Sequence, residues 1–198
     1  MSKPVMSKPV VAIVYHSGYG HTKVQAEAVL AGIKEVEAVD GVIYSVDELD
    51  DAKWEVLDGA AALIFGSPIY MGNVAAGFQA FAEKSSKRWF TLAWKDKLAA
   101  GFVNSGSQSG DKLQGLNALI TLAQQHGMIW VGLGLHPGNN SSTASINDLN
   151  RLGGFGGAFA QSNVDQGPDV APPEADRKTA AHLGKRVAEA TVRWMKGA

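Results

Sequence analysis

The feature that most constrains this chain of 198 residues is a strand, a short loop and a helix that follow one another near its start. Residues 10–15 are apolar and mostly β-branched, and they do not alternate with polar residues. Strands buried on both faces have this composition, and they occur in parallel sheets covered by helices. Apolar residues then return at helical spacing up to residue 36. The segment therefore predicts the first unit of a parallel α/β sheet.

The loop between this strand and this helix, residues 17–22, predicts an anion site. Its glycines and hydroxyl residues lie where a helix leaves its first backbone N–H groups unpaired, which is a common position for a phosphate. The loop lacks the Gly-Lys-Ser/Thr of ATP-binding and GTP-binding loops, and Lys23 stands where a dinucleotide fingerprint has its third glycine. A tight turn with a helix cap is the structural alternative for Ser17 and Thr22.

Four more apolar runs follow, at residues 41–46, 60–65, 98–103 and 128–133. Five strands that alternate with helices predict a doubly wound parallel sheet with helices on both faces. We expect one domain over residues 10–198. Met-Ser-Lys-Pro-Val occurs twice in the first ten residues, and we expect residues 1–9 to be a disordered duplicated tail. Residues 134–172 show little periodicity, and a loop this long is typically functional or disordered.

The strand ends bring three loops to one edge of the sheet, where parallel sheets bind ligands. All three are rich in Ser, Gly, Asn and Thr: the first loop is residues 17–22, the second is residues 67–73 and the third is residues 104–110. These loops contain no lysine or arginine before Lys112. A ligand there would be held by hydroxyl groups, backbone N–H groups and a helix dipole. A monophosphate with a flat ring between the other loops indicates FMN. The predicted cofactor-binding residues are Ser17, Gly18, Tyr19, Gly20, His21, Thr22, Pro68, Ile69, Tyr70, Met71, Gly72, Asn73, Asn104, Ser105, Gly106, Ser107 and Gly110.

Composition excludes several functions. The net charge of -1 provides no basic surplus for nucleic acid. The absence of cysteine excludes disulfides, thiolate metal sites and thiol nucleophiles. No apolar run reaches the roughly 20 residues of a membrane span, and the N-terminus lacks the apolar core of a signal peptide. We therefore expect no membrane insertion and a cytoplasmic location. The five histidines form no recognisable metal set, so no metal is predicted.

The motifs resemble those of the flavodoxin-like superfamily, and most closely those of the WrbA family of NAD(P)H:quinone oxidoreductases. The resemblance extends over nearly the whole chain from Val10 onward. The matching segments, in chain order, are Tyr19-Gly20-His21, Pro68-Ile69-Tyr70-Met71-Gly72-Asn73, Ser105-Gly106-Ser107, His126-Gly127-Met128 and Gly153-Gly154-Phe155-Gly156-Gly157-Ala158. The chain differs from that family in two places: it lacks a long insertion after the second strand, and Ile69 replaces a usual arginine.

The resemblance implies a flavodoxin-like sheet with strand order 2-1-3-4-5. It also implies an enzyme that binds FMN and transfers hydride equivalents from NADH or NADPH to a quinone by a ping-pong mechanism. The flavin carries this chemistry, so no catalytic side chain is required. Trp89 and His126 would belong to the substrate pocket, and a homo-oligomer, dimer or tetramer, is expected.

Other interpretations stay open at this stage. Trp89 is equally typical of a core or an interface, and His126 suits a helix end through the dipole alone. A flavodoxin-type electron carrier without substrate turnover is the main alternative function. The near-neutral charge favours the enzyme, because such carriers are strongly acidic around the flavin edge. A hydrolase is disfavoured, because the chain has no Gly-x-Ser-x-Gly nucleophile motif.

Overall fold

A computed structural model describes residues 8–197 of the chain. Residues 1–7, which hold most of the predicted tail, and residue 198 lie outside the described residues. Of the two tail residues that are described, Pro9 accepts a hydrogen bond at its carbonyl oxygen from the backbone N–H of Asp40, at 3.0 Å.

The chain alternates strands and helices throughout the described residues. The strands are β1 (Val10–Tyr15), β2 (Asp40–Ser45), β3 (Ala62–Tyr70), β4 (Asn73–Val74), β5 (Leu98–Ser105), β6 (Ile129–Trp130) and β7 (Ala158–Gln161). The helices are α1 (His21–Lys34), α2 (Asp51–Gly59), α3 (Ala76–Lys84), α4 (Ser86–Phe90), α5 (Lys112–Gln125) and α6 (Glu174–Lys196). A single 3₁₀ turn, Val46–Glu48, precedes α2.

The main strands lie in the order β2-β1-β3-β5-β6, and neighbouring strands run parallel. Because β4 is a two-residue strand off this path, this is the predicted order 2-1-3-4-5, which is confirmed. Parallel strands require crossover connections, and α1, α2, α3 and α5 provide them.

Strand β3 is longer than the sequence predicted. The apolar run predicted a strand over residues 60–65 that gives way to a loop. That end point is wrong, because Ser67 and Pro68 still pair with Val103 and Asn104 of β5. The chain reverses only at Met71 and Gly72, whose φ angles are 49° and 81°. Positive φ at both central residues is typical of a two-residue hairpin turn, and β4 then pairs antiparallel with the end of β3.

The fifth position in the sheet is shared by two short strands. Strand β6 pairs with the start of β5 at Leu98 and Ala99, and β7 pairs with its end over Phe102–Ser105. Residues 131–157 leave the sheet between them. The sequence predicted one continuous strand over 128–133 and missed β7, because β7 is short and lies within the segment of little periodicity.

Helices cover both faces of the sheet, as predicted. One core contains Val11 and Ile13 from β1 and packs against α1 and α6, whereas Ala12 and Val14 face a second core with α2, α3 and α5. Within residues 8–197, no helix has both the length and the apolar character needed to cross a membrane.

Candidate functional site

A cavity of about 630 Å³ lies at the carboxyl ends of β1, β3 and β5. This is the edge of a doubly wound sheet where ligands bind, and the volume is within the usual range for small-molecule sites. Four segments line the cavity. The lining residues are Ser17, Tyr19, His21, Thr22, Pro68, Ile69, Tyr70, Asn104, Ser105, Gly106, Ser162, Val164, Gln166 and Gly167.

The first segment ends β1 and begins α1. The hydroxyl oxygen of Ser17 accepts hydrogen bonds from the backbone N–H groups of Gly20 and Lys23, at 3.1 and 3.2 Å. The first helical hydrogen bond of α1 runs from Val24 N to Gly20 O, at 3.1 Å. The N–H groups of His21 and Thr22 precede it and therefore have no helical acceptor. Together with the positive end of the α1 dipole, they form an anion site.

Neither Ser17 nor Thr22 is the N-cap residue of α1, which the sequence analysis had considered as a structural alternative. Gly20, not a serine or threonine, occupies the N-cap, and its φ of 90° is a conformation that favours glycine. Ser17, three residues before Gly20, instead stabilises the turn by accepting the hydrogen bonds of Gly20 and Lys23 at its hydroxyl oxygen. Thr22 is buried with 2% of its surface exposed, and it lines the cavity.

The second segment is the end of β3. The phenol of Tyr70 lies against Gly18, where a Cβ atom would be 2.5 Å from the phenol oxygen. Its ring meets that of Tyr19 edge to face, with centroids 6.2 Å apart. Burial raises the pKa of Tyr70 above 10, so its hydroxyl stays protonated at neutral pH. Tyr70 thus joins the first two segments and offers an aromatic wall.

The third segment follows β5 and is held by a buried lysine. Lys112, with 1% of its surface exposed, donates from Nζ to Ser105 Oγ at 2.7 Å, to Ser107 O at 2.6 Å and to Gln108 O at 2.9 Å. Burial lowers the pKa of Lys112 to about 8. Gly110 has a φ of 50° and no room for a side chain beside Ser105.

The sequence analysis missed the fourth segment, residues 162–168, which follows β7. Ser162 Oγ accepts from Asn104 Nδ2 at 2.9 Å, and His21 Nε2 lies 2.8 Å from Gln166 O. Pro168 packs on Gly20, where a Cβ atom would be 2.9 Å from the proline ring. The Gly167-Pro168 pair predicts a turn here, but no local pattern indicates that this turn covers the phosphate loop.

The structure brings most of the predicted cofactor residues together. Ten of them line the cavity, namely Ser17, Tyr19, His21, Thr22, Pro68, Ile69, Tyr70, Asn104, Ser105 and Gly106. Gly18 and Gly20 complete the first loop. Met71, Gly72 and Asn73 form the hairpin beyond the cavity, and Ser107 and Gly110 support the third loop. Their direct contact with a cofactor stays a prediction.

Trp89 and His126, the predicted substrate-pocket residues, do not line the cavity. The His126 ring is 1% exposed, lies 4.5 Å from the Trp94 ring and has Nε2 2.8 Å from Ser85 Oγ. Burial lowers its pKa below the usual 6.5. Trp89 is half-exposed on α4 and packs edge to face on Phe90. Their role in a substrate pocket stays a prediction that the cavity of this chain does not itself support.

The chemistry of the lining fits FMN. It contains no lysine, arginine, aspartate or glutamate, so the N–H groups at the start of α1 must neutralise a phosphate. Side chains at Gly18 and Gly20 would collide with Tyr70 and Pro168, so glycine at these positions lets the second and fourth segments close against the first loop. Ile69, Tyr70 and Val164 provide apolar surface for a flat ring. Within residues 8–197, no group of three or more metal-ligating side chains occurs.

The chain is similar to known proteins in sequence and in structure. Residues 12–111 match the flavodoxin domain family. The flavodoxin FldP of Pseudomonas aeruginosa is 44% identical over 183 residues, which are 92% of this chain and 96% of that protein. An NAD(P)H dehydrogenase (quinone) of Chromohalobacter salexigens is 27% identical over 203 residues, 93% of this chain and 96% of its own. The crystal structure of a flavodoxin, WrbA-like protein from Agrobacterium tumefaciens superposes with a TM-score of 0.74 at 36% identity, covering 94% of this chain and 99% of the other. The chain therefore belongs to the flavodoxin domain family, and this membership implies that it binds a flavin.

Proposed function

We propose that the cavity binds FMN and that the protein transfers electrons through it. The observation that carries the proposal is the pairing of an anion site with an uncharged cavity. The free N–H groups of His21 and Thr22 lie at the start of α1, and the remaining lining is neutral. A phosphate on a flat, uncharged ring system satisfies both parts. ATP is a poorer candidate, because no lysine lines the cavity.

Each segment has a distinct task in the proposed site. The first loop binds the phosphate through backbone N–H groups, with Ser17 fixing their direction. Tyr70 and Ile69 would hold the flavin ring, and the third loop would offer it backbone hydrogen-bonding groups. Bound FMN would supply the chemistry, accepting two electrons from a donor and passing them to an acceptor.

NAD(P)H:quinone oxidoreduction is the first candidate reaction, with NADH or NADPH as donor and a quinone as acceptor. It is supported by the Chromohalobacter relative, which covers nearly the whole chain, and by the near-neutral net charge of -1. This proposal includes a cytoplasmic location. It also includes a dimer or tetramer, because Trp89 and Phe90 are 45% and 78% exposed, and a second copy of the chain would cover this aromatic surface.

A flavodoxin-type electron carrier is the second candidate. It is supported by the 44% identity to a flavodoxin. The positions of Trp89 and His126 also favour it, because neither predicted substrate residue lies at the cavity. A carrier requires no substrate pocket of its own and exchanges electrons with a docked protein.

Flavin binding is tested by titrating the purified protein with FMN while following flavin fluorescence and the melting temperature. FMN at 100 times its Kd should stabilise the fold by about 2.7 kcal/mol. For a chain of this size, that raises the melting temperature by roughly 5–10 °C. Riboflavin, which lacks the phosphate, should give a much smaller shift. A colourless protein with an unchanged melting temperature would refute FMN binding.

The two reactions are separated by steady-state oxidation of NADH and NADPH with benzoquinone. An oxidoreductase should turn over many times with both substrates present and show parallel double-reciprocal plots. A carrier should show only negligible turnover of NADH or NADPH under the same conditions. Light scattering on the same holoprotein gives its oligomeric state, and a monomer with turnover would contradict the oligomeric part of the proposal.

A further inference from the structure

The third loop accepts hydrogen bonds from Lys112, a side chain to which the proposed function assigns no role. Its three ammonium protons have three acceptors: Ser105 Oγ and the carbonyl oxygens of Ser107 and Gln108, at 2.6 to 2.9 Å. Its exposure is 1%. Among residues 8–197, no other lysine or arginine side chain donates a hydrogen bond to a residue that lines the cavity.

This arrangement fixes the backbone of the loop. Residues 106–108 lie beyond the end of β5 and have no regular secondary structure to hold them. Two of their carbonyl oxygens are turned toward the ammonium, and in a planar peptide the following N–H groups then point the opposite way. The Ser105 hydroxyl accepts a hydrogen bond from Lys112 and donates one to Ser107 O, so Ser105, which lines the cavity, is fixed by the same contacts.

We propose that Lys112 is a positioning residue for the flavin, which sets the conformation of the third loop and brings a positive charge next to the cavity. The proposal rests on FMN binding at this cavity. Lys112 does not touch the cavity itself, because Ser105 lies between them. It acts through the loop and through its charge, which in a buried setting is weakly screened.

The charge of Lys112 is set by its surroundings. The charged groups facing it are Asp176 from α6, which raises its pKa, and Arg151 from the segment between β6 and β7, which lowers it. Burial outweighs both and brings the pKa to about 8. The ammonium therefore loses its proton within an accessible pH range, and one of the three hydrogen bonds to the loop is lost with it.

The test compares FMN affinity in wild type, Lys112→Met and Lys34→Met between pH 6.5 and 9.5. Lys34→Met removes the same charge from an exposed position at the far end of α1. We expect Lys112→Met to bind FMN about ten-fold more weakly or worse at pH 7, because a hydrogen-bonded charge is lost. Wild-type affinity should fall toward that of Lys112→Met above pH 8, whereas Lys34→Met should follow wild type.

A second measurement separates positioning from plain structural support. With FMN saturating, the reduction potential of Lys112→Met should be more negative than that of wild type, since removing a positive charge disfavours electron gain. Lys112→Gln, which keeps a neutral donor, replaces Lys112→Met if the latter does not fold. A variant that melts earlier, yet keeps the wild-type affinity, pH profile and potential, would overturn the proposal. If wild type itself does not bind FMN, both this inference and the proposed function fail.

Discussion

At the scale of single residues, Thr22 tests the anion site. Its side chain is buried at the start of α1 and lines the cavity. Thr22→Glu should lower FMN affinity at least 100-fold, because a carboxylate would repel the phosphate and occupy its space. Thr143→Glu adds the same charge at an exposed position and should leave affinity unchanged. Fluorescence titration gives both values, and wild-type affinity in Thr22→Glu would remove Thr22 from the site.

Lys112 makes a separate prediction for the stability of the flavin-free protein. The pKa of an unperturbed lysine is 10.5, whereas that of Lys112 in the fold is about 8. Below pH 8 both folded and unfolded chains hold the proton, so the contribution of Lys112 to stability is constant. Between pH 8 and 10.5 only the unfolded chain holds it, so the free energy of unfolding rises with pH, by at most ~1.4 kcal/mol per pH unit. Above pH 10.5 the contribution is constant again.

This prediction is checked by urea unfolding of wild type and Lys112→Met across the same pH range. The difference in the free energy of unfolding, wild type minus variant, should be flat up to pH 8 and then grow in favour of wild type. FMN affinity is expected to move in the opposite direction over this window. A difference that stays constant from pH 7 to pH 10 would mean that Lys112 keeps its usual pKa.

At the scale of elements, α1 and α6 pack closely because glycines lie at their crossing. Gly32 faces the carbonyl oxygen of Ala181, and Gly184 faces that of Val29, with no room for a Cβ atom at either position. Gly184→Ala should push α6 away from α1 and cost about 1–3 kcal/mol of stability. Gly59→Ala, where a Cβ atom meets nothing within 4 Å, is the control. Equal unfolding free energies for the two variants would contradict the close packing.

The elements also show how far sequence patterns extend. The bounds of the first strand follow from the sequence, because its apolar run begins directly after Pro9 and ends before the polar pair His16-Ser17. The full length of β3 does not follow, because Pro68 resembles a loop residue and only its pairing with Asn104 reveals the strand. Strand β7 and the segment after it could not be predicted from local sequence patterns, because contacts with distant residues such as His21 and Asn104 hold them in place.

The candidate site, too, was only partly predictable from the sequence. The loop residues that line the cavity follow from strand ends, which the sequence marks by apolar runs. The burial of Lys112 beneath the third loop does not follow, because lysine is usually exposed and its three acceptors are visible only in the folded chain. Likewise, the position of His126 against Trp94 depends on the packing of α5 on the sheet.

At the scale of the whole molecule, one ion pair joins the segment between β6 and β7 to the rest of the fold. Arg151 Nε and Nη2 donate to the two carboxylate oxygens of Asp176 at 2.7 and 2.8 Å. Their side chains are 9% and 2% exposed. Asp176 also accepts from the backbone N–H of Gln161, whose side chain in turn donates to Gly106 O of the third loop. The ion pair therefore connects the segment between β6 and β7, α6 and the third loop of the candidate site.

Breaking this pair should affect both stability and flavin binding. Arg151→Met leaves the Asp176 carboxylate buried without its partner and should cost about 3–5 kcal/mol. Arg151→Met with Asp176→Leu removes both charges and should recover much of that loss. In urea unfolding, a double-mutant cycle measures the coupling directly. The surface pair Lys178–Glu174, exposed at 64% and 78%, is the control and should contribute less than about 1 kcal/mol. FMN affinity should fall in Arg151→Met, because Asp176 and Gln161 hold the third loop, and should stay unchanged in Lys178→Met; equal affinities in all four proteins would separate the ion pair from the site.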